Sequence, residues 1–324
     1  MATTAPHRSK AKLLKVAGNP LPEGGKAGVA VTSDGVHLRY ARWSSAIRPS
    51  KGTVVILQGR AEFIEKYFET VEDLRQRGFG VLCFDWRGQG GSDRLLADPQ
   101  KGHVEHFDQY LIDLDTILSD VALPDCVAPF YLLGHSTGGL IALLAAPMLG
   151  NRVRRMVLAS PLIALRNLPL KQKTLQRALA LVSFVGFGRA SVDWGGRSLV
   201  GRTFVGNNLT SDTRRFDRTG QLLASDPSLA LSSPTISWLF AACRAMNQLS
   251  DPHFVSAITI PTLLIAAGND PIVAPGPIEH LGDQMRSGAF HTIFGSKHEI
   301  LQERDVFREQ FLSAFDAFVP GTEV

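Results

Sequence analysis

The sequence predicts an α/β fold: a mostly parallel sheet with helices on both faces and an inserted helical cap. Three observations predict it. Short, continuous apolar runs recur along the chain, each ending in glycine or a polar residue, as strands buried on both faces require. Segments with apolar residues at helical spacing separate these runs, so strand and helix alternate. The alternation stops after residue 160 and resumes at residue 261, which marks an insertion.

Residues 1–27 are rich in Pro, Gly and Lys and are expected to form a poorly ordered tail. GVAVTSDGVHLRYARW (28–43) alternates on either side of Asp34-Gly35, a hairpin signal. TVVILQG (53–59) is a buried strand, and Phe63, Ile64, Tyr67, Phe68, Val71 and Leu74 then recur at helical spacing. GVLCFDWRGQGGSD (80–93) is a strand followed by a glycine-rich loop. FDQYLIDLDTILSDV (107–121) is an amphipathic helix and FYLLG (130–134) a further buried strand. TGGLIALLAAPML (137–149) is apolar nearly all round, hence a buried helix, and RRMVLAS (154–160) is a strand. After the insertion come PTLLIAAG (261–268), a helix near 277–286, a strand at 289–294 and a closing helix at 304–318. The core is therefore 28–160 with 260–324, and 161–259 form a helical cap over the carboxyl ends of the strands, where open sheets bind ligands.

The chain has 324 residues, 44% hydrophobic and 20% charged, which suits a globular protein with a large core. A net charge of +4, without a basic stripe and interleaved aromatics, argues against nucleic acid as a partner. Arg8, Lys10, Lys12 and Lys15 face no acid in the first fifteen residues; a solvated tail is the simple reading, weak attraction to anionic lipid the sharper one. Cys83, Cys126 and Cys243 are odd in number and widely spaced, without metal or disulfide spacing, so no metal and a reducing, cytoplasmic compartment are expected. The N-terminus lacks the apolar segment of a secretory signal, and no apolar run is long enough to span a bilayer.

The stretch YLLGHSTGG (131–139) raises a chemical question. Gly134-His135-Ser136-Thr137-Gly138 fits G-x-S-x-G where a buried strand passes into a buried helix. A serine at so sharp a turn takes a strained backbone conformation, and the residues two before and two after it have no room for bulk. The turn lifts Oγ above the sheet and leaves the Thr137 N–H free to bind a negative oxygen. A serine hydroxyl needs a base, and the base an orienting acid. Asp270 follows the strand LLIAA, and His298 lies four residues past Phe294, each at a carboxyl strand end. His280 and His291 lie within a predicted helix and strand, and His253 in the cap; Asp251 is the fallback acid. Asp85 ends a strand but is given a structural role in its loop. The second oxyanion donor is expected from the turn after TVVILQG, where Gly59 lets the Arg60 N–H point inward; an Arg60–Glu62 ion pair is one way of holding that turn.

At these residues the chain resembles a known family. QGRAEFIEKY (58–67), FDWRGQGGSDR (84–94), KGHVEHF (101–107), GHSTGG (134–139), AAGNDPIV (266–273) and GSKHEI (295–300) together look like the lysophospholipase and monoglyceride-lipase-like branch of the α/β-hydrolases. The resemblance spans about residues 28–318. It implies an α/β-hydrolase fold, Ser136 as nucleophile, Asp270 and His298 completing a triad, Arg60 and Thr137 N–H groups as oxyanion hole, and no cofactor. Relatives often carry His-Gly where this chain has Gln58-Gly59.

The leading expectation is a serine esterase acting through an acyl-enzyme on a small lipid-derived ester, a lysophospholipid or monoacylglycerol. The cap stretch LQRALALVSFVGFG (175–188) is apolar, and Phe184 and Phe187 are taken as substrate-binding residues; packing of the cap onto the core is the competing reading. The alternatives are an esterase or peptidase for small non-lipid substrates and a non-catalytic binding protein of the same fold. The second would require a missing triad member. A halide- or epoxide-processing enzyme would need a carboxylate at position 136, which serine excludes.

Overall fold

Five of the described strands are apolar on both faces, and such strands are stable only when helices cover both sides. The computed structural model, which describes residues 11–166, 172–192 and 203–319, has that arrangement. One eight-stranded sheet runs β1 (Lys26–Val31), β2 (His37–Trp43), β4 (Gly80–Phe84), β3 (Thr53–Leu57), β5 (Phe130–His135), β6 (Arg155–Ala159), β7 (Thr262–Ala267), β8 (Gly288–Ile293) in spatial order. β1 and β2 pair antiparallel, through the turn at Asp34-Gly35, and β2 pairs antiparallel with β4. All other neighbours are parallel.

The pleat divides the strands between two cores. Val55, Leu57, Leu82, Phe84, Leu132 and Leu158 face α2 (Asp108–Thr116) and α3 (Thr137–Leu149). Val54, Ile56, Val81, Cys83, Leu133 and Val157 face α1 (Phe68–Gln76) and the closing helix Asp305–Phe318. Each fully buried Val, Leu or Ile contributes about 1.5–3 kcal/mol, so a one-residue slip of any central strand would misplace a whole row against the wrong helices.

Between β6 and β7 the chain supplies α4 (Gln172–Val182), α5 (Thr213–Ser225) and α6 (Ile236–Gln248). Leu175, Leu179, Trp238, Leu239 and Cys243 of this insert join the first core. Its polar contacts reach α1 and the closing helix, where Arg215 pairs with Glu69 and Asp305, and also loops that leave the carboxyl ends of strands. Arg60, after β3, donates to Ser232 O; Arg94, after β4, donates to Ser228 O at 2.5 Å; Glu299, after β8, donates its N–H to Leu209 O at 2.9 Å.

The expectation of a loose tail over 1–27 is not met where residues are described. Residues 11–25 form a strap across the molecule. Lys12 O accepts from Arg39 Nη1, Leu14 N–H donates to Glu65 Oε1, Asn19 Nδ2 donates to Glu65 O, and Pro22 O accepts from Trp43 Nε1. Leu14 and Val16 pack with Phe63, Leu222 and Leu223. Sparse apolar anchors and backbone hydrogen bonds hold a segment whose composition reads as a loop. Arg8 and Lys10 lie outside the described residues.

Candidate active site

Ser136 joins β5 to α3 with φ 51 and ψ −112, a left-handed conformation that costs a non-glycine residue about 1–3 kcal/mol. The turn is held by hydrogen bonds from Ser136 N–H to Ala159 O (3.0 Å) and from Leu162 N–H to Ser136 O (3.0 Å). The glycines around it are needed for space. A Cβ on Gly134 would stand 2.9 Å from Gly139 Cα, and one on Gly138 would stand 2.0 Å from Leu57 O. Gly138 thus lets α3 press against the end of β3.

His298 Nε2 lies 3.0 Å from Ser136 Oγ, and His298 Nδ1 lies 2.6 Å from Asp270 Oδ2. The other carboxylate oxygen of Asp270 accepts the N–H groups of Ile272 (2.8 Å) and Val273 (2.9 Å). Burial works against the Asp270 charge, but the imidazole of His298 and these two donors outweigh it and hold the carboxyl below its usual range. All three side chains are buried, so their interactions act at low dielectric. The chain of hydrogen bonds can move a proton from Ser136 to His298 while Asp270 stays ionised.

The backbone N–H groups of Arg60 and Thr137 donate to no partner among the described residues. Thr137 opens α3, and Arg60 opens the turn after β3. The Arg60 side chain does not pair with Glu62. Its Nη2 donates to Ser232 O and its guanidinium lies over the Trp238 ring, 5.5 Å from the centroid. Glu62 instead accepts from Gly59 N–H (2.5 Å), Tyr67 Oη–H (2.6 Å) and Lys66 Nζ (2.8 Å).

Behind the triad lies a buried ionic cluster that sequence reasoning missed. His135 Nδ1 is 3.0 Å from Glu62 Oε2, and its Nε2 is 3.2 Å from His298 O. Lys66 bridges Glu62 to Glu299, at 2.8 and 2.6 Å. One charged group therefore links the turn after β3, the strand that ends at Ser136 and the loop carrying His298. Burial lowers the His135 pKa, but the charge of Glu62 outweighs this and raises it. Burial likewise opposes ionisation of Glu62, while Lys66 and His135 pull its carboxyl well below the usual range. The Glu-x-x-x-Lys spacing at 62–66 was the local signal for half of this cluster.

The remaining candidates separate cleanly. Asp251 is an exposed residue of the insert between β6 and β7, and its carboxylate accepts the His253 N–H at 2.9 Å. His253, His280 and His291 are exposed. Asp85 is buried and accepts from Arg39 Nε (2.7 Å), Gly91 N–H (2.7 Å) and Ile64 N–H (2.9 Å), which ties loops together. Phe184 and Phe187, taken as substrate-binding residues from the sequence, are 88% and 61% exposed. Gly186, at φ 96, breaks the helix between them, and Leu175 and Leu179 carry the inward face. A cavity of about 240 Å³, lined by Phe107, Leu144, Met148 and Arg244 among others, includes none of the triad.

Comparison with known proteins places this geometry. Residues 48–305 match the profile of the family described as serine aminopeptidase, S33. The chain is 31% identical over 301 residues to lysophospholipase L2 of Escherichia coli K12, covering 88% of this chain and 84% of that protein. It is 31% identical over 280 residues to the monoglyceride lipase of Rattus norvegicus, covering 83% and 84%. Its fold matches a soluble variant of monoglyceride lipase from Saccharomyces cerevisiae with a TM-score of 0.71, at 18% identity, covering 92% of this chain and 97% of the other.

Proposed function

Because the chain belongs to the serine aminopeptidase S33 family of α/β-hydrolases, we propose that Ser136, His298 and Asp270 are its nucleophile, base and acid, and that the Arg60 and Thr137 N–H groups are its oxyanion hole. The protein is a carboxylic-ester hydrolase of the lysophospholipase and monoacylglycerol lipase type. The observation that carries the assignment is the continuous hydrogen-bond chain from Asp270 through His298 to Ser136.

In the first half-reaction His298 Nε2 takes the Ser136 proton as Oγ attacks the ester carbonyl. The negative oxygen so formed is held by two preorganised N–H donors, each worth about 3 kcal/mol. The imidazolium then protonates the departing alcohol, leaving an acyl-serine. Water, deprotonated by the same imidazole, releases the fatty acid and restores the serine. Asp270 keeps Nδ1 protonated and stabilises the imidazolium throughout.

The insert between β6 and β7 acts as a cap over this site; its contacts with the loops after β3, β4 and β8 support that role. The substrate is a lipid-derived ester, and the enzyme meets it as a peripheral visitor at a membrane face inside the cell. Leu181, Phe184, Val185 and Phe187 support this as a cluster of large apolar side chains exposed on one stretch of the cap. No helix among the described residues is long and apolar enough to cross a membrane.

A hydrolysis panel tests the proposal: lysophosphatidylcholine, monoacylglycerols, and p-nitrophenyl esters from C2 to C12. Each buried methylene of substrate is worth about 0.8 kcal/mol, so kcat/KM should rise several-fold per two carbons until the acyl site is filled. A profile falling from C2 onward would instead favour a small-ester enzyme. Sedimentation with phosphatidylglycerol vesicles, lost on Phe184→Ser, tests the membrane contact.

A further inference from the structure

His135, the residue before Ser136, has no part in the proton relay, yet its ring is buried between two acceptors. Nδ1 lies 3.0 Å from the carboxylate oxygen Oε2 of Glu62, and Nε2 lies 3.2 Å from the backbone carbonyl oxygen of His298. A carbonyl oxygen has no proton to give. Neither has a carboxylate that also accepts from Lys66 Nζ and from the Gly59 N–H. A neutral imidazole carries one N–H and one lone pair, so either tautomer would turn a lone pair toward one of these oxygens. Only the imidazolium, with an N–H on each nitrogen, satisfies both contacts.

The charges around the ring lead to the same state. The turn after β3 and its short helix Ile64–Tyr67 contribute Glu62, Lys66 and Tyr67, and the loop after β8 contributes His298 and Glu299. Two carboxylates thus face a single ammonium, and His135 is the second cation. A neutral ring would leave one negative charge of a buried group uncompensated, which is costly. Burial acts to strip the proton from His135, but the charge of Glu62 outweighs it and raises the pKa. Gly59 gives the pair its room: a Cβ there would stand 2.8 Å from both His135 Nδ1 and Glu62 Oε2. The ion pair is therefore packed against the turn that presents the Arg60 N–H. The ring of His298 is the other neighbour, its centroid 5.0 Å from that of His135. A cation so close to the base disfavours a second positive charge there.

We propose that His135 is a positioning residue for the catalytic base, held as an imidazolium that ties the loop of His298 to the turn after β3 and sets the lower pH limit of activity. This rests on the assignment of His298 as base and deepens it. The residue touches neither substrate nor the reacting atoms; it acts through the His298 carbonyl and through its charge.

The test is the pH profile of kcat/KM for decanoylglycerol, read as released fatty acid from pH 5 to 9. The wild type is compared with His135→Gln, whose amide keeps a donor and loses the charge. The pH at which kcat/KM reaches half its plateau should rise by about one unit in the variant. A strut without charge would lower the plateau and leave that midpoint in place, so a midpoint that stays or falls overturns the proposal. Should His135→Gln not fold, the wild type decides. With its nine histidines labelled with ¹⁵N, proton–nitrogen correlation spectra at pH 7.5 must show an imidazole with slowly exchanging protons on both ring nitrogens. If every slowly exchanging imidazole carries one bare nitrogen, the proposal fails. A wild type that cleaves no ester at any pH would refute the ester-hydrolase assignment instead, and the same spectra would still read the charge of His135.

Discussion

Glu62→Gln is the most informative single change in this protein. The carboxylate of Glu62 takes four donors: Gly59 N–H, Tyr67 Oη–H, Lys66 Nζ and His135 Nδ1. A glutamine offers one carbonyl oxygen with room for two of them and turns an NH₂ donor toward the others. Lys66 keeps Glu299, so one ion pair of the cluster survives. Removing one partner of a buried pair costs about 3–5 kcal/mol. At about 1.5 °C per kcal/mol for a chain of 324 residues, Tm should drop by roughly 6 °C.

The pH dependence carries the sharper signature. The depressed Glu62 pKa contributes stability that is present above the unfolded value of 4.5 and lost as pH falls through the folded one. The raised His135 pKa contributes stability that is full below the unfolded 6.5 and lost as pH rises through the folded value. Both contributions coexist between about pH 5 and 6, so the Tm deficit of the variant should be largest there and shrink toward pH 4 and toward pH 9. The Gly59 N–H anchor adjoins the Arg60 N–H, so kcat should also fall, by about ten-fold, as one oxyanion donor loses its alignment. Differential scanning calorimetry from pH 4 to 9, with ester kinetics at pH 7.5, measures both. A deficit under about 1 kcal/mol, or one flat across that range, would show that the cluster is not ionised as described.

Three further outcomes follow from the same geometry. Ser136→Ala should lose activity by about 10⁴-fold or more with Tm nearly unchanged; a clean preparation retaining a tenth of wild-type kcat would contradict the nucleophile. Asp270→Asn should cut kcat by about 10⁴-fold, whereas Asp251→Asn should change little, since asparagine caps the same short helix; the reverse order would move the acid to Asp251. Gly138→Ala forces a Cβ to 2.0 Å from Leu57 O, so its soluble yield and Tm should fall sharply, while Gly220→Ala, with open space at its Cβ, should be tolerated.

The parts of this protein legible in its sequence are those set by local pattern. The central strands announce themselves because burial on both faces demands an unbroken apolar run, and Val54–Leu57 or Leu263–Ala267 have no polar interruption. Ser136, Asp270 and His298 stand out because each follows such a run at its carboxyl end. What stayed hidden depends on distance in sequence. Nothing local to His135 or Glu62 announces Glu299, more than two hundred residues along the chain from Glu62. Phe184 and Phe187 were read from an apolar pattern alone, and such a pattern does not tell which side of the segment faces solvent; both are exposed.

The strap over residues 11–25 bears on how such a chain is handled in practice. A recombinant version begun at Ala27, where the hairpin starts, would look sensible from composition. It would strip one side from Phe63, Leu222 and Leu223, where the turn region after β3 meets helix α5. It would also take the Leu14 and Asn19 hydrogen bonds from Glu65, one of the two carboxylates paired with Arg39. Trimming and tag placement are then kinetic variables as much as purification conveniences. Preparations of the same enzyme that differ only in their first thirty residues should differ in specific activity, because the strap joins the turn region after β3 to the insert between β6 and β7.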